Sequence, residues 1–292
     1  MICHRPGFIK GDMRFSVLSL LMTFAILSCA PVEQVPSGLP PIENDRLPEN
    51  THTVLFLHGW NGLVRDFREY YRQSSLRLPP HCEFYIVPGM DRFMGSLDEN
   101  LDGVIEEIES FLAAQNIPYR NLHLVAHSMG GLAARRFVTL HPDAVRQVFM
   151  LGTPSGGVRV LHGVNLKGWC TPSGIASFNR KNPPSPRVKW HVLAGDHYRS
   201  PLAGAWWEGT PNDGIIATER VLHFRSLCGD SISCETEVKD LTHPDWNWGA
   251  NLLRSPKAVH WVLDRILEDL NETGACASVD SARTSGQEKE NP

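Results

Sequence analysis

No run of Lys and Arg appears in the 292 residues, and 28 basic side chains stand against 32 acidic ones for a net charge of −4. A chain that neutralises phosphates gathers its cations on one face, so nucleic acid is not an expected partner. Long apolar runs are also missing. The uncharged stretch from Phe15 to Ser28 is shorter than the roughly 20 apolar residues that a membrane-spanning helix needs. There is no internal repeat and no heptad or collagen period. The cysteines number seven without a CxxC pair, so their spacing indicates no zinc site. Hydrophobic residues make up 42% and charged residues 21%, too apolar for a disordered chain and long enough for one large α/β core.

Arg5, Lys10 and Arg14 precede the Phe15–Ser28 stretch, which gives residues 1–28 the basic start and apolar centre of a signal peptide. Met13-Arg14 and the apolar run already form a complete short signal, so Met13 is an alternative start. Ile26-Leu27-Ser28-Cys29-Ala30 resembles the bacterial lipobox, in which the Cys is lipidated and becomes the mature N-terminus. The resemblance implies a lipid anchor at Cys29 and a place in the bacterial cell envelope. Cleavage near Ala30 with simple secretion is the other reading. Residues 29–50, with Pro31, Pro36, Pro40, Pro41 and Pro48, read as a semi-extended tether, and 272–292 as a disordered tail. Cys228 and Cys234 are close enough in sequence to bridge a short loop in an exported protein.

Residues 51–271 read as one α/β domain. Val54-Leu55-Phe56-Leu57, Phe84-Tyr85-Ile86-Val87, Leu122–Ala126 and Val148-Phe149-Met150-Leu151 are nearly continuous apolar runs, as expected of strands buried on both faces of a parallel sheet. Helical spacing lies between them: Val104, Ile108, Phe111 and Leu112, then Leu132, Ala133, Phe137 and Leu140. A closing helix is expected with Ser255 as cap, Pro256 in the first turn, and a stripe of Val259, Val262, Leu263, Ile266, Leu267 and Leu270. This βαβαβ order predicts a doubly wound sheet with its site at the carboxyl ends of the strands.

Directly after Leu122–Ala126 comes His127-Ser128-Met129-Gly130-Gly131. A strand that turns sharply into a helix tolerates only small neighbours two positions either side of the turn residue, and here they are Ala126 and Gly130. The turn would lift Ser128 Oγ above the sheet edge, beside backbone N–H groups at the helix start.

Together, Val54–Gly62, containing His58-Gly59-Trp60-Asn61-Gly62, and Leu124–Gly131 resemble the oxyanion loop and nucleophile elbow of the α/β-hydrolase superfamily, in particular its bacterial lipases and esterases. The resemblance runs from about Thr51 to Leu270, with Ala126 where many members have Gly. It implies an α/β-hydrolase fold, Ser128 as nucleophile, and the amides of Met129 and Trp60 as the oxyanion hole. His58 and His127 read as structural residues that orient these loops.

The family order of nucleophile, acid and then base places the base well after Ser128. Of His191, His197, His223, His243 and His260, the first and third fall in strand-like runs (Val188–Ala194 and Val221–Phe224), and His260 lies on the polar side of the closing helix. His243, in Leu241-Thr242-His243-Pro244-Asp245-Trp246, has the loop position that the base needs. Asp213 in Asn212-Asp213-Gly214-Ile215-Ile216 resembles the acid-bearing segment of the lipases, and Asp196 after the strand ending at Gly195 competes for the role. No organic cofactor is implied. Some of these lipases hold a structural calcium, for which Asp196 and Asp245 are weak candidates here.

A Gly- and Pro-rich stretch from about 155 to 186, without clear helical period, reads as a cap or lid, and Trp206-Trp207 adds aromatic bulk near the site. The function expected is hydrolysis of carboxylic esters, above all lipidic acyl esters, through an acyl-enzyme on Ser128. An acyltransferase or thioesterase with the same triad, and a non-catalytic envelope lipoprotein of the same fold, are the alternatives.

Overall fold

The computed structural model describes residues 50–60, 62–88, 96–158, 170–200, 210–243 and 250–273. Six strands form one sheet: β1 (His52–Leu57), β2 (Cys82–Ile86), β3 (Leu122–His127), β4 (Val145–Leu151), β5 (Lys189–Gly195) and β6 (Cys234–Lys239). Their spatial order is β2-β1-β3-β4-β5-β6, and every ladder is parallel. The order reverses between β1 and β3, so the loops leaving these two strands flank the crevice where doubly wound sheets place ligands. Those loops carry Gly59-Trp60 and Ser128.

Side chains alternate across the sheet and divide the core into two layers. Leu55, Leu57, Leu124, Ala126, Val148 and Met150 pack on one face against α2 (Leu97–Ala114) and α3 (Gly130–Leu140). Val54, Phe56, Val125, Phe149 and Leu151 meet α1 (Arg68–Arg77) and the closing helix α6 (Pro256–Glu272) on the other. The apolar stripe of α6 is the expected one, with Val259, Val262, Leu263, Ile266 and Leu270 all buried. Ser255 occupies the N-cap position with extended backbone, yet its side chain makes no capping hydrogen bond; Pro256 fills the first turn. α2 begins with a reciprocal box, Glu99 N donating to Ser96 Oγ and Ser96 N to Glu99 Oε2.

Three local expectations need correction. Val221–Phe224 is not a strand: it runs from α5 (Thr218–Leu222) into a 3-10 turn (His223–Leu227), burying Val221 and Phe224 at i and i+3. The 155–186 stretch is not irregular throughout. Thr171 caps α4 (Pro172–Lys181) by accepting from Gly174 N at 3.2 Å, and Ile175 and Phe178 are buried in the main core. Arg135 on α3 fastens that helix, donating to Asn179 Oδ1 at 2.7 Å and Asn182 O at 2.6 Å. This part is therefore integral to the domain, while 159–169 lie outside the described residues. Finally, the Cys228–Cys234 bridge is not formed. Both are free thiols, and the contact between them raises the Cys228 pKa and lowers that of Cys234.

Candidate active site

At the end of β3 the backbone of Ser128 adopts φ 54, a left-handed conformation that a non-glycine residue enters at a cost of about 1–3 kcal/mol. The neighbouring strand holds it there, with Ser128 N donating to Leu151 O at 2.9 Å. Met129 follows as N-cap of α3, so its amide belongs to the electropositive start of that helix. Ser128 is partly exposed between buried neighbours. Strain concentrated on the one accessible hydroxyl of the turn is the signature of a nucleophile elbow.

The loop after β1 closes against this turn. Gly62 N donates to Gly59 O at 3.0 Å, and His58 Nδ1 donates to the same oxygen at 3.0 Å, so His58 shapes the loop as expected. A Cβ on Gly59 would lie 2.7 Å from Ser128 Cβ and 3.4 Å from Met129 N. Only glycine lets the two loops approach this closely. Trp60, the next residue, is 46% exposed beside the serine turn, an apolar surface next to the candidate oxyanion donors.

The two residues expected as acid and base are in contact. His243 Nδ1 lies 2.8 Å from Asp213 Oδ2, with the imidazole 4% exposed and the carboxylate fully buried. His243 N also donates to Asp213 O at 2.7 Å. The other carboxylate oxygen of Asp213 accepts from Ile215 N at 3.0 Å and Ile216 N at 2.8 Å, which fixes its plane. Because an ionised carboxylate only accepts, Nδ1 carries the proton and Nε2 is left as the basic nitrogen. The loop bearing His243 is pinned at its root by Thr242 N to Ala250 O at 2.8 Å and Leu252 N to Thr242 O at 2.9 Å.

The competing assignments separate cleanly. Asp196 is engaged by Arg199, through Nε at 3.0 Å and Nη2 at 2.9 Å, and not by a histidine. A carboxylate already clamped by a guanidinium is a poor calcium ligand, and its suggested companion Asp245 lies outside the described residues. His191 is buried in β5, stacked on Phe149 and bonded to Glu235, while His197 pairs with Asp240. His260 is exposed on α6. Cys29, Trp206 and Trp207 also lie outside the described residues.

Sequence reasoning overlooked Gly152. Its backbone has φ +61, and a Cβ there would approach His243 Nδ1 to 2.8 Å. The glycine after β4 thus makes room for the His243 ring, and the Gly directly following an apolar strand was the available signal.

The family model of the alpha/beta hydrolase family matches residues 54–281, and the chain belongs to that family. It is a hydrolase by fold and family. A putative cell surface hydrolase from Lactobacillus plantarum is similar in structure, with a TM-score of 0.50, 12% identity, and coverage of 78% of this chain and 98% of that one. A putative lipase from Acinetobacter baumannii gives a TM-score of 0.49, 14% identity and coverage of 78% and 86%. The mature form of a Bacillus licheniformis lipase gives 0.48, 15%, 69% and 89%. No curated protein is a significant match.

Proposed function

We propose that the protein is a serine hydrolase of carboxylic esters, acting on lipidic acyl esters through an acyl-enzyme on Ser128. The observation that carries this reading is a strained serine at the β3–α3 turn, φ 54, whose preceding residue His127 lies with its ring 4.5 Å from that of His243, itself bonded to the buried Asp213. In this scheme Ser128 Oγ attacks the ester carbonyl and its proton passes to His243 Nε2. Asp213 stabilises the resulting imidazolium and keeps the ring in its tautomer. The Met129 and Trp60 amides face the oxygen on which charge develops. As the C–O bond breaks, the alcohol leaves with the proton from His243. Water, deprotonated by the same nitrogen, then releases the acid and restores Ser128.

Preference for a lipidic acyl group is supported by the likeness of His58-Gly59-Trp60 to the lipase oxyanion loop and by the exposed Trp60 beside Ser128. Attachment to the cell envelope through Cys29 belongs to the same proposal and rests on the Phe15–Ala30 segment. No helix among the described residues is long and apolar enough to cross a membrane. The test is turnover of p-nitrophenyl esters of rising chain length by the purified domain. Hydrolysis that is abolished in Ser128→Ala supports the reading, and equal rates in both proteins refute it. In the producing cell, incorporation of a labelled fatty acid that disappears in Cys29→Ser would support the anchor; incorporation unchanged by that substitution would refute it.

A further inference from the structure

Next to Ser128 stands a second histidine that the scheme above leaves without a chemical task. His127 is the last residue of β3, 8% exposed, and its Nε2 lies 3.2 Å from the carbonyl oxygen of His243. A carbonyl can only accept, so Nε2 carries the hydrogen and the tautomer of His127 is set. The two imidazole rings are 4.5 Å apart between centroids and inclined by 44°. Asp213 holds two further polar groups of His243, taking its backbone N–H and its Nδ1–H. The residue after His243 is Pro244, which has no N–H with which to anchor the chain on that side.

We propose that His127 is a positioning residue for the base: its Nε2–H holds the His243 peptide against the serine turn and so fixes the imidazole relative to Ser128 Oγ. The proposal rests on the triad reading given above. Adjacent residues of one backbone then aim the nucleophile and secure the base, so a shift of the elbow carries both groups together. Neutrality suits the role. Burial first, and then the neighbouring His243, push the His127 pKa well below its ordinary value, so no second cation sits beside His243 when that ring becomes an imidazolium. His58 makes no such link; its Nδ1 bonds within its own loop, to Gly59 O.

The experiment compares His127→Gln, which retains an N–H donor near the position of Nε2, with His127→Phe, which fills the ring volume without a donor, and with His127→Ala. Each is assayed for kcat and KM on a p-nitrophenyl ester after thermal melting has shown that it is folded. Misplacing a reacting group by about 1 Å can cost on the order of 100-fold, so kcat is expected to fall about 10- to 100-fold in Phe and Ala. KM should change little, and Gln should recover most of the loss. In proton NMR, the downfield signal of His243 Nδ1–H bound to Asp213 should persist in Gln and move or broaden in Phe. A Phe variant with the wild-type kcat, or a folded Gln variant no better than Phe, overturns the proposal. If Ala and Phe fail to fold, the Gln variant decides alone: near-normal kcat supports the role, and loss of kcat in a folded protein contradicts it. A wild-type protein that hydrolyses no ester removes the triad reading and this proposal with it. Ester hydrolysis that is Ser128-dependent but indifferent to position 127 removes this proposal only.

Discussion

Asp213 grips His243 twice, by its carboxylate on the ring at 2.8 Å and by its carbonyl on the backbone N–H at 2.7 Å. The first contact sets the tautomer and the second sets the position of the ring's root, so orientation and protonation of the His243 imidazole depend on one residue. The same carboxylate is locked by the amides of Ile215 and Ile216, and this decides what a substitution does.

In Asp213→Asn the side-chain carbonyl would stay with those two amides, turning the NH2 toward His243 Nδ1. Two donors cannot face each other, so the ring must take the Nδ1-unprotonated tautomer and lose its base at Nε2. A fall in kcat of about 10,000-fold with little change in KM is expected, by analogy with the same change in other triads. Steady-state kinetics checks it, and a loss below tenfold would show that Asp213 does not orient the base.

The two histidines of the C-terminal region separate catalysis from surface. His243→Ala should reduce kcat by several orders of magnitude, because triad members act as a unit. His260→Ala, on the exposed face of α6, should remain within about twofold, since surface substitutions of this kind usually change stability by less than 0.5 kcal/mol. Parallel assays of the two variants provide the check.

Gly59→Ala probes the approach of the two loops. The new Cβ would fall 2.7 Å from Ser128 Cβ and 3.0 Å from His127 O, and both neighbours are too firmly held to yield. Activity should drop at least about 100-fold while the melting temperature drops modestly, because the displacement falls on the reacting groups. Normal activity would mean that the β1 loop plays no part in the reaction.

At the opposite end of the sheet a buried polar chain predicts acid sensitivity. Gln147 Nε2 donates to Arg265 O at 3.3 Å and its Oε1 lies 3.0 Å from His123 Nδ1, so His123 donates there and accepts at Nε2 from His52 Nδ1, 2.9 Å away. Burial lowers His52 to about 4 and His123 to about 3. As pH falls below about 6.5 the unfolded chain takes up protons at these histidines while the folded chain does not, so stability declines until pH passes the folded values. The melting temperature should therefore fall from pH 7 to pH 4. Replacing His123 by Gln should flatten that decline even if it lowers the melting temperature at pH 7; an unchanged slope would exclude the pair as its source.

Much of the site was legible because its chemistry is local. Ser128 lies between an apolar strand and a helix with small residues at 126 and 130, and His243 lies in a loop just before the closing helix. What escaped was set by tertiary context. β6, Cys-Glu-Thr-Glu-Val-Lys, is an edge strand with no fully buried residue and with charged side chains at three of its six positions, so it has none of the apolar continuity that marked β1, β3 and β4. β2 does have that continuity, yet it lies at the other edge and is only half-buried. Val221–Phe224 is too short for its period to distinguish strand from helix. The His127–His243 contact spans 116 residues, and no spacing rule reaches that far.

Covalent capture of the hydroxyl tests the central claim most directly. The protein is incubated with a fluorophosphonate, its intact mass is measured, and the adduct is located by peptide sequencing, in the wild type and in Ser128→Ala and His243→Ala. A single adduct on Ser128 that is absent from Ser128→Ala and forms far more slowly in His243→Ala is the predicted result. A folded wild-type protein that stays unmodified, or is modified at another residue, would contradict it.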